Sequence, residues 1–382
     1  MNGSKKKLLI MIDWFAPGYK AGGPVQSCVN ICRLLSKQYD IYVFTTDTDH
    51  GEALPYENIK ANKWIKNEEL GVQVFYAAKK TISLTQVKKQ ILFVNADCIY
   101  LNLLFSYYFT LYPLWLKLRN AISTKVVLCP RGTLFESALS VKRFKKIPVL
   151  NFLRWSNISR HIIFHATNQR EKNAILNYFP GSEVLIANNL PDIDQPVFSG
   201  VEKKAGSLKC IFIARIVPIK NLLFLLHCLQ DAGGDITLSI IGPAEDAGYW
   251  NVCKKMAEQL PANIKVNYLG AKESTVIKKT LLQQHLFILP TEGENFGHAI
   301  FESLLVGRPV LISDQTPWTK LSETKAGWSF SLSEQQKFTE TINFLCSCDQ
   351  QQYDIFATAA WQYAHRFIND PNLVKPYQTI FE

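Results

Sequence analysis

The sequence contains nine cysteines, but it lacks the paired cysteine and histidine spacing that zinc sites require. Cys28 and Cys32 are four residues apart, Cys346 and Cys348 flank a serine, and the other cysteines lie singly in apolar runs. Buried free thiols in a reducing compartment fit this pattern better than a disulfide framework does. The cysteine usage therefore predicts a cytoplasmic protein and argues against a small disulfide-stabilised one.

The sequence also lacks a clear targeting or membrane-spanning segment. A lysine cluster and a short apolar run stand near the start, but Asp13 follows soon and no small-residue cleavage site is present, so we expect no signal peptide. Residues 99–118 approach the length of a membrane helix. Because this segment contains polar residues and a proline, we interpret it as a strand over 98–104 and a helix over 107–119.

Acidic residues are scarce in the first half of the chain. Residues 1–198 hold 25 Lys+Arg and 14 Asp+Glu, a net charge of +11, whereas residues 199–382 hold 17 and 18, a net charge of −1. This asymmetry predicts that the first half has an anionic partner. The densest basic stretch runs from Arg131 to Arg170, with eight positive residues, one acid and interleaved apolar residues.

The length of 382 residues exceeds that of one ordinary hydrophobic core, and 47% of the residues are apolar. Two domains are therefore expected. The polar, Pro- and Gly-containing stretch near the middle divides the chain into a first domain over 1–190, a linker over 191–208, a second domain over 209–365 and a tail over 366–382.

The most informative stretch follows the apolar run 286–289, which has the composition of a buried parallel strand. A glycine-containing loop, a short helix starting near Gly297 and a second apolar run at 310–312 complete a βαβ unit. Glu294 falls in the loop and Glu302 in the helix, whose amino terminus favours a bound anion. Two carboxylates around an anion site suit a nucleotide sugar, which has hydroxyls at both ends and phosphate in the middle.

This stretch resembles the signature of glycosyltransferase family 4, the retaining GT-B enzymes of the bacterial surface-polysaccharide type. The resemblance is carried by the Glu294-x7-Glu302 spacing, by Glu-Asn-Phe-Gly at 294–297 and by Thr-Pro-Trp at 316–318. It implies an α/β fold with two Rossmann-like, doubly wound parallel-sheet domains facing a cleft. It also implies that the tail crosses back to the first domain.

A second cluster of candidate residues lies in the loop after the predicted strand 210–214. Arg215 and Lys220 match the family's two cations that hold the donor diphosphate. Sugar transfer from a nucleotide donor needs such groups, because the departing diphosphate gains negative charge and preorganised cations stabilise that charge. Two surface cations on a loop are the alternative interpretation.

The resemblance assigns further roles by position. Glu294 would hold donor-sugar hydroxyls and stabilise the oxocarbenium ion, Glu302 would bind the ribose, and Gly270 would lie near the base. The backbone of the glycine pair after the first predicted strand would reach the donor diphosphate, although a plain tight turn explains that pair equally well. The remaining donor-binding candidates are Gly22, Gly23, Phe296, Gly297, His298 and Ala299.

Three further features have competing interpretations. Arg131 stands where many family members carry a histidine near the reaction centre, and it would either contact the acceptor or brace its loop. The basic stretch would either lie on an anionic bilayer or form a solvated face, and no recognition fold for nucleic acid accompanies it. Asp47-Thr48-Asp49 matches an Asp-x-Asp metal motif, but its position after a first-domain strand argues against a metal site.

The resemblance implies an enzyme that transfers a sugar from a UDP- or GDP-linked donor to a hydroxyl, without a metal or other cofactor. The acceptor would be a glycan or a lipid-linked glycan in lipopolysaccharide, capsule or exopolysaccharide assembly, which suits a cytoplasmic protein peripheral to the inner face of the membrane. Two alternatives remain open: a GT-B epimerase or phosphorylase, and a non-catalytic sugar-nucleotide-binding subunit.

Overall fold

The computed structural model of the chain divides into two compact units, Met1–Pro191 with Pro371–Glu382 and Asp192–Asp370. It describes residues 5–140, 142–192, 198, 200–318 and 320–382. Within the expected linker over 191–208, residues 193–197 and 199 lie outside the described residues. The tail beyond residue 370 belongs to the first unit.

The first unit is built on a sheet whose strand order is β3-β4-β2-β1-β5-β6-β7-β8. Every pairing is parallel except that of β3 with β4. Strand β1 is central, and its apolar residues from Leu8 to Met11 are buried, as is typical of a parallel sheet covered on both faces. The strands are β1 (Lys6–Met11), β2 (Tyr39–Thr46), β3 (Trp64–Asn67), β4 (Val72–Ala77), β5 (Cys98–Asn102), β6 (Lys125–Cys129), β7 (Ile163–Ala166) and β8 (Val184–Ile186).

Helices connect these strands and cover the sheet. They are α1 (Gly23–Leu35), α2 (Leu84–Val94), a π-helix (Tyr107–Leu111) that runs into α3 (Tyr112–Leu118), α4 (Glu136–Ser140), α5 (Arg143–Trp155) and α6 (Gln169–Tyr178). Helix α13 (Lys375–Phe381) also belongs to this unit, where the Tyr377 hydroxyl donates to the carbonyl of Asn188. The tail is therefore folded onto the end of β8.

The second unit contains a fully parallel sheet with the strand order β11-β10-β9-β12-β13-β14. Its strands are β9 (Ser207–Ile213), β10 (Asp235–Ile241), β11 (Ile264–Gly270), β12 (Leu286–Leu289), β13 (Val310–Ser313) and β14 (Gly327–Phe330). Its helices are α7 (Leu222–Gln230), α8 (Ala247–Glu258), α9 (Ser274–Leu281), α10 (His298–Leu305), α11 (Gln335–Ser347) and α12 (Gln350–Ile368). The two sheets confirm the expectation of two Rossmann-like, doubly wound units.

Each sheet has one position at which the strand order reverses. In the first unit the chain builds β1 to β4 on one side of the sheet and then β5 to β8 on the other, so the reversal lies between β1 and β5. In the second unit the reversal lies between β9 and β12. Ligands of doubly wound sheets bind outside the carboxyl ends of the strands at such a position. The loops after β1, β5, β9 and β12 are therefore the places to search for function.

The structure confirms the division of residues 99–118 and the burial of the free cysteines. Residues 99–118 do not form one long helix, because β5 ends at Asn102 and the π-helix begins at Tyr107. None of the helices in the described part of the chain is long and apolar enough to cross a membrane. All nine cysteines are buried free thiols.

Candidate functional site

The centre of the candidate site is an ion pair between the loops that follow β9 and β12. The Lys220 Nζ lies 2.5 Å from Glu294 Oε1. The two side chains are only 13% and 18% exposed, so little solvent screens their attraction. Two residues that sequence analysis selected from separate segments are thus in direct contact at the strand reversal of the second unit.

Backbone hydrogen bonds hold the two loops together. The N–H of Glu292 donates to the carbonyl of Ile219 at 2.8 Å, and the Thr291 hydroxyl donates to the same carbonyl at 3.0 Å. The Glu294 N–H donates to the carbonyl of Gln315 in the loop after β13 at 3.1 Å. Three neighbouring loops are therefore fixed relative to one another, which positions the Lys220–Glu294 pair before any ligand arrives.

Arg215, the other candidate cation, points to a different partner. Its Nη1 lies 2.9 Å from Oε2 of Glu245, a residue of the loop after β10. The Arg215 side chain is 44% exposed, so this pair is more accessible and more screened than the Lys220–Glu294 pair. Arg215 keeps a solvent-facing guanidinium at the carboxyl edge of the sheet.

The amino terminus of α10 lies at the same edge and depends on Gly297. This residue caps the helix with a φ of 77°, a left-handed conformation that favours glycine. A Cβ at this position would stand 2.7 Å from Cδ1 of Ile300, so space as well as conformation excludes a side chain. His298 and Ala299 follow as the first helical residues, where backbone N–H groups have no i−4 partner.

Phe296 is one of the donor-binding candidates, and the structure places its side chain in the core. It is 5% exposed and its ring centroid lies 5.1 Å from that of Trp318, whose indole N–H donates to the Phe296 carbonyl. The rings of Phe301 and Phe367 also lie beside it. The ring therefore anchors the loop between Glu294 and Gly297, and any ligand contact of Phe296 falls to its backbone.

Glu302 lies on α10, one turn beyond the helix start, and its carboxyl group has an unusual environment. The pKa of Glu302 is raised to about 7, mainly by burial and in addition by the nearby Asp192 carboxylate, while the Lys278 ammonium opposes the shift. Lys278 is itself engaged, because its Nζ lies 2.8 Å from Asp192 Oδ2. A group with this pKa changes its charge near neutral pH, which matters for any ligand that donates hydrogen bonds to it.

Gly270 ends β11 with a φ of 72° and accepts a hydrogen bond from the N–H of Gly242 at 3.0 Å. Gly242, at the end of β10, has a φ of 146°, and a Cβ there would stand 1.9 Å from the carbonyl oxygen of Ala214. The loops after β9, β10 and β11 therefore approach each other closely through backbone. The Tyr268 hydroxyl donates to the carbonyl of Gly242 at 3.0 Å and adds a side chain to this contact.

In the first unit, the loop after β1 leads to the glycine pair. Gly22 caps α1 with a φ of 68° and a ψ of −128°, and Gly23 is the first residue of the helix. A Cβ on Gly22 would meet nothing within 4 Å, so its backbone conformation alone requires glycine. The Asp49 carboxylate accepts hydrogen bonds from the N–H groups of Tyr19 at 2.9 Å and Lys20 at 3.2 Å.

The two aspartates of the Asp-x-Asp sequence therefore serve the backbone. Asp47 accepts a hydrogen bond from the N–H of Lys79 at 3.2 Å, and both aspartates are buried. Among the described residues, no group of three or more His, Cys, Asp or Glu side chains could hold a metal ion. Asp49 shapes the loop that carries Gly22 and Gly23.

Arg131 adopts a left-handed backbone with a φ of 53°, and its guanidinium points into the first unit. Its Nε donates to Asn102 Oδ1 at 2.9 Å and its Nη1 to Asn189 Oδ1 at 2.6 Å. Its Nη2 donates to the Tyr100 hydroxyl at 3.2 Å, which is 2.7 Å from His165 Nδ1. Arg131, which follows β6, thus joins β5 to the segment after β8 through hydrogen bonds. These contacts favour the interpretation that Arg131 braces its loop.

The basic stretch after Arg131 forms α5, and its surface is unusual. Phe144, Phe152 and Trp155 are 73%, 49% and 81% exposed. Four basic residues of this helix, Arg143, Lys145, Lys146 and Arg154, accompany these rings, and only Leu150 and Leu153 are buried. The helix thus presents exposed aromatic rings together with cationic side chains.

Sequence analysis missed Asp13 and Glu245. Asp13 lies two residues beyond β1, and its pKa is raised to about 6, because burial outweighs the opposing effects of the Ser106 hydroxyl and the Lys79 ammonium. Its position directly after the apolar run 8–12 could have marked it as a site residue, because ligands bind at the carboxyl ends of parallel strands. No sequence pattern marked Glu245 as a site residue. It contacts Arg215 only because β9 and β10 are neighbours in the folded sheet.

Comparison with known proteins supports these observations. Residues 195–361 match the family model described as Glycosyl transferases group 1. No curated protein sequence matches the chain. Three solved structures share the fold at low sequence identity, each over at least 98% of both chains: Anabaena Alr3699/HepE in complex with UDP-glucose (17% identity, TM-score 0.68), sucrose-phosphate synthase from Thermosynechococcus elongatus (12%, 0.68) and WaaG, a glycosyltransferase involved in lipopolysaccharide biosynthesis (10%, 0.64).

The matched segment contains β9 to β14 and therefore the Lys220–Glu294 pair, Arg215 and Glu302. The similarity to the solved structures extends over both units. The chain has a GT-B fold, and residues 195–361 of its second unit match the model of the Glycosyl transferases group 1 family.

Proposed function

We propose that the protein is a retaining glycosyltransferase of family 4 that transfers a sugar from a nucleotide-sugar donor to a hydroxyl. The observation that carries this proposal is the Lys220–Glu294 pair at the strand reversal of the second unit, 2.5 Å apart and little exposed. A cation for phosphate and a carboxylate for sugar hydroxyls are thereby placed side by side. The donor has the same order of groups, with its diphosphate next to the sugar.

The proposed roles follow from the chemistry of the leaving group. As the bond between the sugar and the diphosphate breaks, negative charge grows on the phosphate oxygens, and Lys220 and Arg215 stabilise it without a proton transfer. Arg215 supplies a fork of N–H donors and Lys220 a compact charge. The start of α10 at Gly297–Ala299 would add N–H groups and a helix dipole.

Glu294 would change partners when the donor binds. In the structure its carboxylate is neutralised by Lys220; with the phosphate engaging Lys220, the carboxylate becomes free to accept hydrogen bonds from the sugar and to stabilise the oxocarbenium ion. Glu302 would accept hydrogen bonds from the ribose. Acceptor attack on the same face, with the acceptor proton passing to the departing phosphate oxygen, balances the reaction and retains the configuration.

The proposed donor is a UDP- or GDP-linked sugar, and no metal or other cofactor is required in this scheme. The Alr3699/HepE structure contains UDP-glucose, which makes that compound the first donor to test. The proposed acceptor is a glycan or a lipid-linked glycan in lipopolysaccharide, capsule or exopolysaccharide assembly. WaaG, which shares the fold, is involved in lipopolysaccharide biosynthesis.

A lipid-linked acceptor would be reached most easily from a membrane surface. We therefore include peripheral attachment to the cytoplasmic face of the membrane in the proposal, with α5 as the contact. Its exposed rings at Phe144, Phe152 and Trp155 and its basic side chains suit a helix lying on an anionic bilayer. Each lysine or arginine near such a surface contributes about 1 kcal/mol.

The proposed function is tested with a panel of UDP- and GDP-sugars, scored by thermal stabilisation and by slow donor hydrolysis. A ligand that binds only the folded state raises the melting temperature by mass action. We expect one donor to stabilise the protein and to be hydrolysed with release of the nucleoside diphosphate. An epimerase would convert the sugar without release, and a phosphorylase would need inorganic phosphate. A binding subunit would be stabilised without turnover, and each of these three results contradicts the proposal.

A further inference from the structure

Both cations that are proposed to hold phosphate in the second unit are paired with a glutamate. Lys220 Nζ contacts Glu294 Oε1 at 2.5 Å, and Arg215 Nη1 contacts Glu245 Oε2 at 2.9 Å. In the proposed reaction the sugar hydroxyls of the donor bind Glu294 once Lys220 engages the phosphate. That reaction gives Glu245 no part of the donor to bind, so the Arg215–Glu245 pair needs an explanation of its own.

Backbone hydrogen bonds hold together the two loops that carry Arg215 and Glu245. The N–H of Ile216 donates to the carbonyl of Pro243 at 2.9 Å, and the N–H of Asp246 donates to the carbonyl of Ile216 at 3.4 Å. The loops after β9 and β10 thus continue the pairing of these two strands beyond the sheet. The contact between the guanidinium and the carboxylate is therefore part of the fold.

The start of α8 fixes the main chain on the carboxylate side of the pair. Asp246, the residue after Glu245, caps this helix by accepting a hydrogen bond from the N–H of Tyr249 at 2.9 Å. The Tyr249 hydroxyl accepts a hydrogen bond from the N–H of Leu223, in the first turn of α7, at 3.0 Å. Because α7 follows the loop of Arg215, the helices on both sides of the ion pair are joined to each other.

The Arg215–Glu245 pair is formed in the structure, but it is weak enough to open. Its side chains are 44% and 26% exposed, compared with 13% and 18% for Lys220 and Glu294. Solvent screens an exposed pair, so its net stabilisation is small. A guanidinium also binds two phosphate oxygens at once. A diphosphate, which carries more than one negative charge, can therefore displace the single carboxylate from Arg215.

The same competition operates in the opposite direction after the sugar has been transferred. The product left in the site is a nucleoside diphosphate, which carries the negative charge that the cations stabilise in the reaction. Tight binding of this product would slow the enzyme, because product release limits the turnover of many enzymes. A carboxylate that competes for Arg215 weakens product binding and speeds its departure.

We propose that Glu245 competes with the diphosphate for Arg215 and thereby speeds release of the nucleoside diphosphate after each transfer. Glu245 acts through Arg215 and is a positioning residue rather than a catalytic one. The proposal rests on the proposed function, because it concerns the product of that reaction. In the opposing interpretation Glu245 orients Arg215 toward the phosphate, and the two interpretations require opposite changes in product affinity when the carboxylate is removed.

The first test is calorimetric titration of wild type and Glu245→Gln with UDP, GDP and inorganic pyrophosphate. We expect Glu245→Gln to bind pyrophosphate and the preferred nucleoside diphosphate about fivefold more tightly, as for the loss of an exposed ion pair that competes with them. Glu245→Asp keeps the charge and should return the affinity toward the wild-type value. Glu258→Gln is the matched control, because it removes the same charge from an exposed residue at the far end of α8.

The second test asks whether Glu245 acts through Arg215. Arg215→Gln should weaken binding of the same probes, and adding Glu245→Gln to it should change nothing further. Surface plasmon resonance on the immobilised protein then separates the rates of binding and release. We expect the nucleoside diphosphate to dissociate from Glu245→Gln about fivefold more slowly, with little change in the association rate.

The outcomes separate this proposal from the proposed function. Weaker or unchanged binding in Glu245→Gln refutes the competition even when the wild type hydrolyses a nucleotide sugar. A gain in affinity that persists in the Arg215→Gln background also refutes it, because Glu245 would then repel the phosphate directly. If pyrophosphate alone gives the expected pattern and no nucleotide binds, the competition stands and the nucleotide-sugar reaction fails. If none of the three probes binds any form of the protein, both proposals are refuted.

Discussion

Lys220 and Glu294 lie 74 positions apart in the sequence and form an ion pair of 2.5 Å between adjacent strand ends. Few solvent molecules reach the pair, because each side chain is less than a fifth exposed. Removing one partner therefore leaves a poorly hydrated charge, whereas removing both leaves none. The same two residues are proposed to separate when the donor binds.

We predict that Lys220→Met and Glu294→Gln each lower kcat by about 10²–10³-fold, the usual effect of removing one preorganised charge. Each variant should also lose about 1–3 kcal/mol of unfolding free energy. The double variant should lose less than the sum of the two, which a double-mutant cycle of urea unfolding measures.

The exposed pair Lys337–Glu334 is the control for this cycle, since its side chains are 52% and 39% exposed. Its coupling should be much weaker, because solvent screens exposed surface pairs. Equal coupling in the two cycles would contradict the assignment of a special electrostatic environment to Lys220 and Glu294. Full turnover in either single variant would remove them from the mechanism.

Glu302 gives a prediction in which stability and donor affinity change in opposite directions. Its pKa is raised from the ordinary 4.5 to about 7 by burial and by Asp192. Between these values the folded state holds a proton that the unfolded state has lost, so stability falls as pH rises from about 4.5 to about 7. Glu302→Gln should remove about 2–3 kcal/mol of this pH dependence in urea unfolding curves.

In the proposed role of Glu302, its ionised carboxylate accepts hydrogen bonds from the ribose hydroxyls of the donor. Donor affinity of the wild type should therefore rise with pH through about 7. In Glu302→Gln the affinity should be lower and should not change over this range. Calorimetric titration with UDP-glucose between pH 5.5 and 8 measures both, and a pH-independent wild-type affinity would refute the role of Glu302.

The strands and the βαβ unit could be predicted from the sequence because they depend on local patterns. The apolar run at 286–289, the glycine at 297 and the apolar run at 310–312 all lie where the structure has β12, the cap of α10 and β13. Element bounds differ by a few residues, since helix ends depend on contacts outside the helix.

The partners of the site residues could not be predicted, because they come from distant segments. Arg131 donates to Asn102 and Asn189, which are 29 and 58 positions away, and Arg215 meets Glu245 from the next strand. These contacts depend on which strands are neighbours, and the strand order is a property of the folded sheet. Asp13 was overlooked for the same reason, since its neighbours come from the loops after β4 and β5.

Gly297 and Gly22 offer a matched pair of substitutions at helix starts. Both have a left-handed backbone, but a Cβ on Gly297 would stand 2.7 Å from Ile300 Cδ1, whereas one on Gly22 would meet nothing within 4 Å. Gly22→Ala should cost about 1 kcal/mol of stability through conformational strain alone. Gly297→Ala should cost more, and Ile300→Val, which removes that Cδ1 atom, should recover part of the difference in thermal unfolding.

Arg131 is predicted to stabilise the first unit rather than to act on substrate. Arg131→Met leaves the acceptor atoms of Asn102 and Asn189 without their donor, which should cost about 2–4 kcal/mol of unfolding free energy. Arg131→Lys should recover little, because an ammonium cannot reach both amides as the guanidinium fork does. The exposed Arg119→Lys is the control, and a fully stable Arg131→Met protein would refute the brace.

Helix α5 leads to the prediction about membranes. Phe152 and Trp155 are 49% and 81% exposed, so replacing both with serine should leave the melting temperature within about 2 °C of wild type. Binding to vesicles containing phosphatidylglycerol should fall at least tenfold, because the rings no longer enter the interface. Phe344→Ser, at a 48% exposed position of the second unit, is the control and should bind vesicles like wild type. Neutral phosphatidylcholine vesicles should bind all forms weakly, and equal binding of the α5 variant and wild type to anionic vesicles would show that the helix is an ordinary solvated face.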